Sequence, residues 1–243
     1  MNHLFRKIVT IYAFTVFIVT ALLYPIPIAI FYRIVWPKDE KRKLQYHTIL
    51  CHYFRWCGTH VPFVSINADR TEKQFEKPSV IICNHQSHLD LLTFLMMSPR
   101  VVAMTNQWVW HFPLYAPVIR YCEFYPAADG LESNEEKIKS LLERSYSVLI
   151  FPEGTRSAEC KILKFHRGAF YLAERLDADI QPVYLDSPGR CLPKKDFTLC
   201  PGKIDVHFGS RIAHDDTSMG ENYREKTRAW HQYYIKWENE ILS

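Results

Sequence analysis

The chain lacks several features that would fix its class at once. None of its seven cysteines are spaced C-x-x-C and their number is odd, which excludes a zinc ribbon, a redox dithiol and a fully paired disulfide framework. It also lacks a strong charge of one sign. Thirty lysines and arginines against 26 acidic residues leave +4, too little for the footprint of a nucleic-acid binder. There is no internal repeat and no low-complexity tract, and 48% hydrophobic against 23% charged residues excludes a disordered chain. What is left, at 243 residues, is one sizeable domain or one domain with an anchor. The cysteines then read as reduced, mostly buried thiols of a reducing compartment.

Charge is missing altogether from one stretch. Residues 8–32 hold 25 positions without a charged side chain, with Arg6 and Lys7 before them and Arg33 after. As a helix this run would measure about 37 Å against a hydrocarbon core of roughly 30 Å. Pro25 and Pro27 interrupt it, so the pattern predicts a helix over 8–24 and a shorter one over 28–36. The two form either a span or a re-entrant pair. No small-residue cleavage site follows, which separates the run from a secretory leader. Basic residues flank it on both sides, with Lys38, Lys41, Arg42 and Lys43 beyond. By the positive-inside rule this keeps the following domain on the cytoplasmic side of an inner membrane. The organisation is then an anchor over 1–36, a linker with an amphipathic helix over 37–61, a domain over 62–212 and an amphipathic helix over 213–243.

Within 62–212, short apolar runs alternate with helical patterns. Strands are expected at 79–83, 100–104, 147–151, 180–185 and 203–208, and helices at 89–97, 134–144 and 168–176. That is the α/β class: a mixed, largely parallel sheet flanked by helices, with chemistry gathered at the carboxyl ends of strands. In the last helix Tyr223, Trp230, Tyr233, Tyr234, Trp237 and Ile241 fall near one face, suited to packing on the domain or to a membrane surface.

Two strand ends carry unusual residues. The first runs into Asn84-His85-Gln86-Ser87-His88-Leu89-Asp90. His85 sits at the strand end and Asp90 inside the first turns of the next helix, so a bend at Gln86-Ser87 lets the imidazole meet the carboxylate. Such a contact fixes the tautomer and frees the other ring nitrogen, whose ordinary pKa of about 6.5 suits it to take a proton from a hydroxyl. Plainer readings exist: Asn84 or Ser87 as a helix cap, or His85 and His88 as a metal pair without a third ligand nearby. The second end reads Phe151-Pro152-Glu153-Gly154-Thr155-Arg156-Ser157. Proline stops the strand, Gly154 allows close backbone approach, Thr155 and Ser157 bring hydroxyls, and Arg156 offers a rigid fork for phosphate or carboxylate. Lys161, Lys164, His166 and Arg167 follow, as a cationic field or a solvated basic face.

Together these stretches resemble the glycerolphosphate and lysophospholipid acyltransferase family, which includes the 1-acylglycerol-3-phosphate acyltransferases. All seven residues of the second block match, Phe165-x-x-Gly168-Ala169 and Gln181-Pro182-Val183 are similar to later family segments, and the likeness spans about residues 62–212. The resemblance implies a single acyltransferase domain behind a hydrophobic anchor. It implies transfer of a fatty acyl group from acyl-CoA or acyl carrier protein, as co-substrate, to a hydroxyl of a lysophospholipid-like acceptor. His85 would be the general base and Asp90 its support. Glu153, Gly154, Thr155 and Arg156 would bind the acceptor, with backbone amides near these strand ends helping the oxyanion. Membrane lipids are the implied partners, and no metal, other cofactor, nucleic acid or covalent enzyme intermediate is implied.

One region departs from the pattern. Members that use glycerol phosphates carry a second motif with a basic residue early and an arginine after a Gly-rich turn. Here the segments read Thr105-Asn106-Gln107-Trp108-Val109-Trp110-His111-Phe112-Pro113 and Glu123-Phe124-Tyr125-Pro126-Ala127, with Ala127 or a neighbour in the arginine's place. Arg120 is the substitute nearest to hand, and Trp108 and Trp110 face acyl chains, lipid or core. The acceptor therefore stays open between a lysophosphatidate-like lipid and one with a non-phosphate head group, such as an acylated amino acid or a polyene-type product. A thioesterase with water as acceptor, and an inactive lipid-binding accessory protein, are the remaining readings.

Overall fold

The structure, a computed structural model, describes residues 2–67, 72–105, 107–113, 115–126 and 131–243. Two helices come first, α1 (His3–Leu23) and α2 (Pro25–Val35). They abut at Tyr24, and α2 begins earlier than the prolines suggest, because Pro25 and Pro27 stand in its first turn, where a helix has no use for their missing N–H groups. Asp39 caps α3 (Glu40–Thr59) by accepting the Arg42 N–H. Then follow β1 (Val64–Asn67), β2 (Val80–Cys83), α4 (Leu89–Met97), β3 (Val101–Thr105), α5 (Gln107–His111), α6 (Ala116–Tyr121), β4 (Tyr125–Pro126) and α7 (Leu131–Glu143). The chain closes with β5 (Ser147–Ile150), α8 (Gly168–Arg175), β6 (Ile180–Asp186), α9 (Pro188–Cys191), β7 (Gly202–Phe208) and α10 (Tyr223–Leu242).

The seven strands form one sheet in the order β1-β7-β6-β2-β5-β3-β4. Every neighbouring pair is parallel except β6 with β7, so the sheet is mixed and largely parallel, as the alternation predicts. Every residue of β2 and β5 is buried, the signature of strands covered on both faces. The edge strands β1 and β4 are absent from the sequence reading. In β1 only Val64 is buried, and β4 is two residues long, so neither offers an apolar run to detect.

The register decides where the chemistry lies. Ile82 pairs with Ile150 and Cys83 with Val183, so β2, β5 and β6 end side by side and their following loops emerge together. Beneath them α10 packs on the domain with Trp230 and Tyr234 fully buried. The Tyr234 hydroxyl accepts the Val183 N–H at 3.1 Å and lies 2.7 Å from the Ile82 carbonyl, bridging β6 and β2 just before the strand ends.

The opening helices lie against this body. On α1, Thr10 and Ala21 are buried, the Phe14 ring meets Phe197 at 4.7 Å, and Thr10 Oγ1 accepts the Leu199 N–H at 2.9 Å. Leu4, Ile8, Ile11, Val19 and Leu22 form the opposite, exposed stripe. On α2, Ile26, Ala29 and Tyr32 are buried, and Tyr46 of α3 donates its hydroxyl to the Pro25 carbonyl at 2.9 Å. Among the described residues His3–Val35 is the one stretch long and apolar enough to cross a membrane, and only 22% of its most apolar window is buried.

Candidate active site

Asn84, fully buried, ends β2 by pairing with the backbone of Leu185 in β6: its amide donates to the carbonyl at 2.9 Å and its oxygen accepts the N–H at 2.8 Å. That pair of hydrogen bonds holds the strand end in place, so Asn84 is a strand clamp and not a helix cap. The chain then turns so that His85 meets Asp90 in the first turn of α4, Nδ1 donating to Oδ2 at 2.7 Å. The same oxygen accepts the N–H groups of Gln86 at 2.7 Å and Ser87 at 2.9 Å. Asp90 has no solvent exposure, so these three donors, two of them rigid backbone, are what make a buried carboxylate tenable. Its Oδ1 has no partner among the described residues.

The imidazole is fixed in orientation as well as tautomer. It stacks on Phe151, the residue after β5, with centroids 4.1 Å apart and planes at 15°. With Nδ1 engaged, Nε2 carries no hydrogen bond among the described residues, and the side chain keeps 22% exposure. A free, oriented, solvent-facing imidazole nitrogen is the equipment of a general base.

The two strand-end loops are bonded to each other. Ser157 donates its N–H to the His85 carbonyl at 2.7 Å, and Glu153 Oε1 accepts the His85 N–H at 2.8 Å while its Oε2 accepts the Leu163 N–H at 3.1 Å. Glu153 is 2% exposed. Burial pushes its carboxyl up to about 8, against the two backbone donors that pull it down. It therefore braces His85 from behind, whereas the sequence reading put it against the acceptor. Gly154 and Thr155 are exposed, and Gly154 has φ +65°, the left-handed conformation that favours glycine.

Arg156 and His88 complete the cluster. Arg156 makes no ion pair among the described residues, and its buried Nη1 has no partner there. Local desolvation, with the Arg156 guanidinium and His85 nearby, holds the His88 imidazole down to about 4, although its edge is exposed. Ser87 Oγ donates to the Leu192 carbonyl at 2.9 Å, which ties the segment after α9 to the same place. Two residues on, Lys194 donates to Thr155 Oγ1 at 3.1 Å and to the Arg156 carbonyl at 2.7 Å. Sequence reasoning missed this lysine, since nothing local marks a residue 38 positions from the arginine it touches.

Lys161, Lys164, His166 and Arg167 are exposed, and His166 lies against the same loop, its ring beside Gly154 and its backbone N–H donating to the Pro152 carbonyl at 2.7 Å. Arg120 donates to the Trp110 carbonyl at 3.0 Å and borders an open groove of about 350 Å³ with Ile30, Arg33 and Ile34, so it does not stand in for the missing arginine at the His85 crevice. Trp110 is half-buried and packs on the core. Ala127 and the side chain of Trp108 fall outside the described residues.

A sequence model of the Acyltransferase family matches residues 64–186. A 1-acyl-sn-glycerol-3-phosphate acyltransferase of Chlamydomonas reinhardtii is 27% identical over 181 residues, covering 69% of this chain and 52% of that protein. The human 1-acyl-sn-glycerol-3-phosphate acyltransferase alpha is 30% identical over 136 residues, 54% of this chain and 48% of that one. The chain thus spans about half the length of these curated relatives. Its fold is similar to the crystal structure of the 1-acyl-sn-glycerophosphate acyltransferase PlsC from Thermotoga maritima, with a TM-score of 0.75 over 97% of this chain and 98% of that one, at 19% identity.

Proposed function

The chain belongs to the acyltransferase family, and we propose that it moves a fatty acyl group from an acyl thioester to a hydroxyl of a lysophospholipid-like acceptor such as 1-acylglycerol-3-phosphate. The observation that carries this reading is the His85–Asp90 pair at 2.7 Å, its Nε2 free, beside an Arg156 without a carboxylate partner. His85 Nε2 takes the acceptor's hydroxyl proton as the oxygen attacks the thioester carbonyl carbon. Asp90 stabilises the imidazolium that forms. The tetrahedral intermediate collapses by breaking the C–S bond, and the leaving thiolate takes the proton back from Nε2. Gly154, Thr155 and Arg156 hold the acceptor head group, while Glu153 keeps the backbone of His85 in place. The donor is acyl-CoA or acyl carrier protein.

The lipid substrates give the exposed apolar stripe of α1 a purpose, and we place the protein on the cytoplasmic side of an inner membrane with that stripe in the lipid. The deciding experiment supplies a labelled acyl thioester and a membrane lipid extract to the purified protein and to His85→Ala, and reads the products by mass spectrometry. A labelled diacyl phospholipid made only by wild type is expected. A labelled lipid without phosphate moves the acceptor to the second reading, which the altered motif around Ala127 favours. Free fatty acid alone, with every acceptor present, makes the protein a thioesterase.

A further inference from the structure

Between Arg120 and Lys137 the sequence has no lysine or arginine, so the second cation of a phosphate site must come from another part of the chain if the acceptor carries phosphate. Two positive groups sit at the second strand-end loop. Arg156 is one. Lys194 is the other, its ammonium 3.1 Å from Thr155 Oγ1 and 2.7 Å from the Arg156 carbonyl. Neither has a carboxylate partner among the described residues. The lysine is not a drifting surface chain, because the Ser87 hydroxyl holds the Leu192 carbonyl two residues before it. An ammonium has three protons and Lys194 uses two on the protein, which leaves one for a ligand oxygen. Thr155 gives its oxygen to Lys194, so its own hydroxyl proton is free to donate to the same ligand.

Resting on the acyltransferase reading and deepening it, we propose that Lys194 is a substrate-binding residue that, with Thr155 and Arg156, holds a phosphate monoester on the acceptor. A phosphomonoester brings up to two negative charges and three acceptor oxygens, which matches the guanidinium of Arg156, the ammonium of Lys194 and the hydroxyl of Thr155. A neutral head group gives the two cations nothing to neutralise. Lys194 thereby supplies, from the segment after α9, the charge missing from the sequence around Ala127.

The test compares wild type, Lys194→Gln and Lys194→Arg with two acceptors that differ only in phosphate, lysophosphatidate and monoacylglycerol. Binding of each lipid in detergent micelles is read alongside transfer. Gln keeps a donor for the Arg156 carbonyl, so the loop stays in place while the charge goes. Losing one charge-assisted contact should weaken lysophosphatidate binding, and raise its KM, roughly tenfold or more. The thioester's KM and the weak monoacylglycerol binding should stay within about twofold, and Lys194→Arg should recover most of the loss. Equal effects on both acceptors, or an effect on the donor, overturn the proposal and make Lys194 a loop brace. Because binding is read apart from turnover, a phosphate-selective Lys194 effect without acyl transfer upholds the site and sinks only the transferase reading. Transfer that proceeds equally well in Lys194→Gln does the reverse.

Discussion

At the scale of single residues, the site depends on two carboxylates in opposite conditions. Asp90 has three donors on one oxygen and works through charge, while Glu153 has one donor on each oxygen and works through shape. Removing the base, His85→Ala, should lower kcat by about a hundredfold or more, the usual worth of positioned proton transfer, as read by steady-state transfer assays. Asp90→Asn should cost at least about tenfold, because the amide cannot stabilise an imidazolium as a carboxylate does. Full activity in that variant would leave Asp90 a structural residue. Glu153 predicts a pH effect. Its folded pKa, about 8, lies above its ordinary 4.5, so between these values the folded chain holds a proton that the unfolded chain has released. Its contribution is whole below pH 4.5 and is lost as pH rises through 8, at up to about 1.4 kcal/mol per pH unit. Denaturant melts at pH 5 and pH 8 should show wild type losing more stability across the interval than Glu153→Gln. The variant itself starts lower by about 1–3 kcal/mol, since Gln has one carbonyl for two backbone N–H groups. A wild type that gains on the variant as pH rises would refute the assignment.

At the scale of elements, the strand ends that carry His85 and Phe151 are held from below by α10. Pro182 lies opposite Ile82 in the register and brings no N–H to the ladder, so the Tyr234 hydroxyl provides a link between β2 and β6. Tyr234→Phe should therefore destabilise by about 1–3 kcal/mol in denaturant melts, because it strands the buried Val183 N–H. A surface tyrosine such as Tyr233 should tolerate the same change with little effect. This clamp was half legible in the sequence. The aromatic face of α10 is visible as a helical stripe, and β2, β3, β5, β6 and β7 are visible as apolar runs. The short edge strands are not, for want of a run, nor is the hydroxyl link, which joins residues about 50 and 150 positions apart. The candidate site divides in the same way. His85, Asp90 and Arg156 can be read because each lies in a local pattern that chemistry explains. The brace made by Glu153, the clamp made by Asn84 and the contact made by Lys194 arise only when distant strands are set side by side.

At the scale of the whole molecule, the opening helices are a wall of the body and not a leash. Ile26, Ala29 and Tyr32 are buried against α3 and α6, where Tyr32 meets Tyr46 at 5.9 Å and Tyr121 at 6.1 Å. Burying one large apolar side chain contributes about 1.5–3 kcal/mol, and a domain's net stability is only about 5–15 kcal/mol. A chain begun at residue 37 should therefore aggregate or melt far below the whole protein, as read by solubility and circular dichroism, instead of giving a soluble domain. The same packing bears on topology. Near one end of the apolar stretch Arg6 reaches Cys200 Sγ at 3.2 Å, and near the other Arg33 lines the groove beside Arg120, so both basic ends lie against the globular body. A helix crossing the bilayer would carry one of those ends to the far side, away from the body it touches. A stripe with Leu4, Ile8, Ile11, Val19 and Leu22 outward and Thr10 inward suits a helix lying in the interface, with one face in lipid and one on protein. In sealed vesicles, a membrane-impermeant maleimide should thus label Lys7→Cys and Lys38→Cys from the same side, with Cys160 and Cys200 changed to Ser to silence the half-buried native thiols. Labelling of the two positions from opposite sides would make the stretch a true span, and would require α1 to leave its contacts with Phe197 and Leu199.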